Sequence, residues 1–347
     1  MAQKGILDYD ASLMHLTLLV DPTTEDPKVV PTHDLIFLHG LTGNSETTWT
    51  APGRTKSWLE TLLAPAFPKM NIWLCDWDWT TPNTIEDLAG AFLKRLGNST
   101  KRRPAFIVAH DIGCLIAAKA VLMLQEADDE CWYMRTIARG LIGLLMMDGP
   151  FHGGISNLNR VRTQMQPADL GIPQPNPNNI DHGPIPDKSY TDLWIQGNPV
   201  TKQITEEYID HILDLQKWDR VRGFSLACST RPEEHREMVL HWPYEPREMV
   251  WRYISVYASH TGMTRLIDGN ERVWSYLRTE IQSQIWNHEA LGDFHFFFNR
   301  DHLREELGTG VGNPGQEYKQ LPENERSPSV LTDLKFLDQY KKKKTTK

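Results

Sequence analysis

The segment from Val108 to Cys114 (Val-Ala-His-Asp-Ile-Gly-Cys) joins an apolar run, Ala105-Phe-Ile-Val-Ala109, to a stretch of helical texture, Cys114 to Gln125. A strand that turns directly into a helix presents its apex residue on a sharp bend. Strand and helix nearly touch there, so the residues two before and two after the apex must be small. Ala109 and Gly113 meet that requirement, and the apex is Asp111. A carboxylate is ionised at neutral pH without a base to activate it, and the amide of Ile112, at the start of the helix, favours negative charge. Asp111 is therefore the expected nucleophile. A second carboxylate, Asp148, ends another apolar run, Gly140 to Met147, just before Gly149-Pro150. His152-Gly153-Gly154 and His241-Trp242-Pro243 have no spaced carboxylate partner, so no metal site is expected. Ser156 follows no nucleophile pattern, and the glycine-rich stretch Gly308 to Gly315 follows no strand and so is no dinucleotide loop.

Four segments supply the frame. Asp34-Leu-Ile-Phe-Leu38, Asn71-Ile-Trp-Leu-Cys75, Ala105 to Ala109 and Gly140 to Met147 are short apolar runs of the kind that form buried parallel strands. Between them lie helical spacings: Trp58 to Phe67, Thr84 to Leu96 with Ile85, Leu88, Phe92 and Leu96 on one face, and Cys114 to Gln125. Strand–helix alternation of this kind predicts an α/β fold, a doubly wound and mostly parallel sheet joined by right-handed crossovers, with ligands at the carboxyl ends of its strands. After residue 154 the texture changes, and six of the 22 prolines fall between 166 and 187. The expected organisation is a core of residues 1–154 and 246–307, a cap inserted at 155–245, and a polar tail from 308 to 347 with little order. Helices are expected at about 201–218 and around Trp274, Leu277 and Ile281, and strand character at 249–257.

His39-Gly40-Leu41-Thr42-Gly43, the Asp111 turn, Asp148-Gly149-Pro150 and Asn287-His288 follow one another in the order of the α/β-hydrolase fold. Over roughly residues 30 to 300 the chain resembles fungal lipase-like hydrolases with an LHGL…GHSLGG…GTPHRG…NH pattern. Asp111 stands where those proteins have Ser, and in that respect the chain resembles epoxide hydrolases and haloalkane dehalogenases. The resemblance implies that Asp111 attacks carbon, and that a His-activated water hydrolyses the resulting aspartyl ester. It implies an oxyanion hole from the amides of Leu41 and Ile112. His288 is the implied base, following the last helical stretch with Phe294 six residues on. His39 and His110 are expected to be structural.

The lipase-like family's acid position falls on Ala258-Ser259, so the acid that orients the imidazole is expected to be Asp148, with Asp268 the next choice. Ile112 replaces the Trp that grips halide in the dehalogenases. Epoxide opening then needs a proton donor for the ring oxygen, and Tyr190, Tyr208 and Tyr244 in the cap interval are the candidates. The expected function is opening of an epoxide in a bulky, apolar small molecule, and the resemblance to fungal hydrolases suggests secondary metabolism. A non-hydrolytic cyclase or isomerase and a catalytically dead scaffold stay open.

Composition narrows the partners. The 347 residues carry 37 basic and 45 acidic side chains, a net charge of −8, and five of the lysines lie in the last seven residues. So acidic a body excludes a polyanion such as nucleic acid. No apolar run approaches the ~18 residues of a membrane span, and the lysine tail alone is no stable membrane anchor. Four scattered cysteines argue against a disulfide framework. The expected address is the cytoplasm, and no cofactor is implied.

Overall fold

The computed structural model describes residues 8–41, 43–99, 103–126, 137–138, 140–151, 187–193, 197–213, 223–229, 252–256, 260–266 and 271–291. Its centre is a seven-stranded sheet of β1 (Met14–Val20), β2 (His33–Leu38), β3 (Met70–Trp77), β4 (Ala105–His110), β5 (Leu141–Met147), β6 (Gly223–Ser229) and β7 (Arg252–Val256). The spatial order is β1-β3-β2-β4-β5-β6-β7. β1 runs antiparallel to β3, and every other neighbouring pair is parallel. From β2 the chain steps outward to β3, then returns across β2 to β4 and proceeds the other way. That reversal makes the carboxyl ends of β2 and β4 the switch point, where open α/β sheets form their crevice. One antiparallel edge strand and a strand–turn–helix after the central β4 give the α/β-hydrolase fold.

Side chains alternate between two cores, as the pleat requires. Ile36, Leu38, Ile107, Ala109, Leu144 and Met146 face one side. Packed there are α1 (Ile85–Ser99), α2 (Ile112–Glu126) and α3 (Pro199–Leu213). Leu35, Phe37, Phe106, Val108, Leu145 and Met147 face the other side, together with Trp58, the π-type turn Leu59–Leu63 and α5 (Glu271–Leu291). α1 starts where the Thr84 hydroxyl caps the amide of Asp87 at 3.0 Å, and it buries Ile85, Leu88, Phe92 and Leu96 as its spacing predicts. α5 buries Val273, Leu277, Ile281 and Ile285, four side chains worth about 1.5–3 kcal/mol each. Among the described residues, no helix is long and apolar enough to cross a membrane.

One boundary differs from expectation. β6 and α3 both fall within the interval 155–245 that reads as an inserted cap, yet β6 pairs with β5 and β7 inside the main sheet. α3 packs on α2, with Ile204 and Tyr208 in the core. The return to the core therefore precedes residue 246 by some way: α3 is the crossover helix between β5 and β6. The tail from 308 to 347 and the aromatic run 294–298 lie outside the described residues.

Candidate active site

Asp111 sits between the last residue of β4 and the first of α2, with φ 54°. The left-handed region is strained for most side chains, and Asp is among the few that visit it. The bend is as tight as the spacing demanded. A methyl on Gly113 would lie 2.7 Å from the His39 carbonyl oxygen and 2.9 Å from that of Leu38. One on Gly40 would lie 2.3 Å from Asp111 Cβ and 2.5 Å from its Oδ2. Both contacts leave room for glycine alone.

The carboxylate is fully buried, and the amide of Leu41 donates to Asp111 Oδ2 at 2.7 Å. Leu41 thus points its N–H at the apex residue. The oxygen it holds belongs to the protein's own carboxylate. Ile112, the second expected donor, follows directly as the first residue of α2 and is itself buried. The backbone N–H of Asp111 donates to the Met147 carbonyl at 3.0 Å, which ties the elbow to the end of β5.

The loop carrying Leu41 is held by its carbonyls. Trp77 Nε1 donates to His39 O at 3.1 Å, and Trp79 Nε1 donates to Gly43 O at 2.8 Å. His39 Nδ1 lies 2.7 Å from Gly40 O, and Gly43 N donates to that same oxygen at 3.3 Å. Two of the chain's many tryptophans are thus clamps on this loop, a use for indole N–H groups that composition alone did not reveal. The far side of the His39 ring places Nε2 3.2 Å from Asp76 Oδ1, and Ser45 N donates to that oxygen at 2.6 Å. Burial works to raise the Asp76 carboxyl, but the hydrogen bonds from His39 and Ser45 outweigh it and hold the group below its ordinary range.

Asp148 follows the strand next to the elbow. His110 pairs with Met147 across β4 and β5, so Asp111 and Asp148 each follow a register partner. Asp148 also has a left-handed backbone, φ 53°, and is buried. Two adjacent strands therefore end in the same way, each with a strained aspartate at the switch-point edge of the sheet.

His288, expected to follow the last helical stretch, lies within α5. That helix runs against the strand direction. Near its start Trp274 meets Trp58, with ring centres 6.0 Å apart, beside Phe37 near the end of β2. Near its other end Gln284 Cγ is 3.2 Å from the Cβ position of Gly143, close to the start of β5. His288 is one turn further on, about 6 Å along the helix axis. The stretch of β5 from Gly143 to Met147 covers about another 13 Å. The helix thus carries His288 toward the amino ends of the strands, away from Asp111.

Another histidine follows the carboxyl end of β7. His260 opens α4 (His260–Arg265), the first described residue after the carboxyl end of β7. α4 belongs to that end of the sheet: Met263 is buried with Trp58, and Trp58 Nε1 donates to Thr264 O at 2.6 Å. The signal was available in Tyr253-Ile-Ser-Val256, a strand with a histidine four residues beyond its end.

Two of the three candidate tyrosines are packing residues. The Tyr190 hydroxyl accepts from Asn83 N and donates to Thr81 O, both at 2.9 Å, while its ring stands edge-on to Trp77. That proton is engaged on a carbonyl. Tyr208 stacks on Phe151 inside the helix–sheet core, and burial pushes its phenol well above its ordinary value. Tyr244 lies outside the described residues, as do Thr42, Ser156 and Asp268. Among the described residues no group of His, Cys, Asp and Glu could hold a metal, and Cys75 and Cys114 are buried and form no disulfide with each other.

No family model matches the sequence, and no curated protein does. Among solved structures, the chain is similar to phospholipase PlaB from Legionella pneumophila, at 18% identity and TM-score 0.42 over 59% of this chain and 40% of that one. It is similar to the NocB thioesterase domain of the nocardicin cluster, at 13% identity and TM-score 0.43 over 79% and 99%. A putative aryl esterase from Burkholderia cenocepacia matches at 14% identity and TM-score 0.43 over 78% and 95%. The chain spans about two fifths of the phospholipase's length. The activities in those names belong to those proteins.

Proposed function

We propose that this chain is a hydrolase-fold enzyme in which Asp111 attacks carbon in a bulky apolar small molecule, an epoxide above all. The observation that supports this reading is the 2.7 Å bond from Leu41 N to Asp111 Oδ2 on a left-handed elbow. When a carboxylate forms an alkyl ester, one oxygen becomes the ester linkage and the other the carbonyl. Leu41 supports the carbonyl role and continues to do so in the tetrahedral intermediate of ester hydrolysis. In the first step an Asp111 oxygen bonds to the epoxide carbon, the ring C–O bond breaks, and its oxygen takes a proton from a phenol, Tyr244 being the remaining candidate. In the second, water adds to Cγ and gives one proton to an imidazole. The ester C–O bond to Cγ then breaks, the imidazolium passes that proton to the departing alkoxide, the diol leaves, and the new carboxyl group returns its proton to the phenolate, restoring the carboxylate.

His260 takes the place of His288 as the proposed imidazole, because it leaves the carboxyl end of β7. Asp148 is retained as the proposed carboxylate that orients it. The test is a single turnover of a panel of aryl- and alkyl-substituted epoxides in heavy-oxygen water. The covalent route puts unlabelled oxygen from Asp111 into the first diol, whereas direct attack by water on the epoxide puts label there from the outset.

One observation favours a second reading, a non-catalytic scaffold: the Asp111 side chain has no exposed surface. That reading predicts no turnover of any epoxide, and wild-type behaviour in Asp111→Ala.

A further inference from the structure

We infer that His39, braced by Asp76, is a positioning residue that aims and polarises the Gly40–Leu41 peptide group at Asp111. The inference rests on Leu41's N–H being the donor of the proposed site, and it names the group that directs that donor.

Gly40 O and Leu41 N–H are two ends of one peptide unit. In a trans peptide they point in opposite directions from a rigid plane. Drawing the oxygen back onto the His39 ring, at 2.7 Å, therefore points the N–H forward, where it meets Asp111 Oδ2 at 2.7 Å. A carbonyl only accepts, so Nδ1 carries a proton whichever way the rest of the ring is protonated. Behind the ring, Nε2 lies 3.2 Å from Asp76 Oδ1 and 3.4 Å from Trp77 N. Neither contact competes for the proton on Nδ1.

The ring has no freedom to swing away. It lies parallel to Trp77, at 10° with centres 5.8 Å apart, and Trp77 also holds the carbonyl of His39 itself. The result is an unbroken line: carboxylate of Asp76, imidazole of His39, peptide of Gly40–Leu41, carboxylate of Asp111. A hydrogen bond received at one end of a peptide strengthens the one given at the other, so the line makes Leu41 a better donor than an ordinary loop amide. A purely packing role for His39 would be filled by any flat apolar side chain and would leave Leu41 untouched.

Amide hydrogen exchange by NMR on the full chain reads this without a substrate. In His39→Leu, Leu41 N–H should exchange roughly tenfold faster, the worth of one hydrogen bond, while the sheet amides of Phe37 and Val108 keep their protection. In His39→Asn the carboxamide supplies a donor near the place of Nδ1, and protection should return to within about threefold. If His39→Leu exposes the sheet amides too, Asp76→Asn decides, since Asp76 is partly exposed: a several-fold loss confined to Leu41 is expected. Unchanged Leu41 exchange in a folded His39→Leu or in Asp76→Asn overturns the inference, as does an Asn variant no better than Leu. Once an epoxide substrate is in hand, folded variants should lose about tenfold or more in kcat with KM held. A failed oxygen-label experiment would remove the proposed chemistry and leave the exchange result standing.

Discussion

The most exacting stability test lies at the amino end of the sheet, in the carboxylate of Asp34. It is fully buried and accepts from Asn71 Nδ2 at 2.8 Å, from Trp73 Nε1 at 2.9 Å and from the Arg103 guanidinium at 3.1 Å. Those donors come from β3 and from the segment that enters β4, so one side chain on β2 ties three strands together. Asp34→Ala removes the acceptor and leaves a guanidinium, itself only 19% exposed, beside two donors with nothing to bond. Breaking a buried pair from one side costs about 3–5 kcal/mol. At about 2–4 °C per kcal/mol for a chain of this size class, the thermal midpoint should fall by on the order of 10 °C. Asp34→Asn keeps one oxygen acceptor and should lose roughly half as much. Adding Arg103→Met to Asp34→Ala removes the stranded cation and should recover about 1–2 kcal/mol. Calorimetry on the four proteins decides the matter. A loss below about 1 kcal/mol in Asp34→Ala, or a double variant no better than the single, would refute the claim that this network couples the strands.

Other perturbations read the site directly. His260→Ala should stall turnover at the aspartyl ester, seen as a mass adduct on the peptide containing Asp111, while His288→Ala should turn over normally; the reverse result restores His288. Gly40→Ala forces the Asp111 side chain off the Leu41 amide and should abolish turnover at a cost of about 1–3 kcal/mol in stability, read by thermal melting. Tyr190→Phe, which loses the links to Thr81 and Asn83, should cost about 1–2 kcal/mol and leave the chemistry intact; a large loss of kcat would return Tyr190 to the proton-donor role. The Asp76 carboxyl is held below its ordinary value of 3.8, so its ionised form stabilises the fold above that pH. The contribution is lost as pH falls through the lower folded value. Denaturant titrations between pH 5 and pH 2 should therefore show a flatter acid limb for Asp76→Asn than for wild type, and identical limbs would contradict the His39 and Ser45 contacts.

The parts of the fold that sequence pattern revealed are those whose physics is local. β2, β4 and β5 are buried at every position, and a strand covered on both faces must be a continuous apolar run. β1 and β6 escaped for opposite reasons. β1 is an antiparallel edge whose His15-Leu-Thr-Leu18 alternation is short and weak. β6 sets only Phe224 and Leu226 among small residues, Gly223-Phe-Ser-Leu-Ala-Cys-Ser229, and follows a proline-rich interval that reads as insertion. The elbow was legible because Ala109, Asp111 and Gly113 lie within five residues. Its contact with Leu41, 70 residues away, was legible only through resemblance. That His288 lies inside α5 and not after it was legible too: the stripe Val273, Leu277, Ile281, Ile285 keeps helical phase up to three residues before it. The clamps by Trp77, Trp79 and His39 depend on which indole and imidazole nitrogens find carbonyls, which no spacing rule encodes.

The arrangement of Leu41 and Asp111 also bears on selectivity. A serine at such a bend leaves the neighbouring amide vacant, ready to welcome the oxygen of an incoming thioester or lactone. Here the seat is already taken by an oxygen of Asp111, so under the proposed chemistry an acyl compound would have to evict it before any tetrahedral adduct could gain support. A strained three-membered ring asks for no such seat. Choice between electrophile classes would then be decided before any pocket wall is consulted, by a single backbone proton that has already been spoken for.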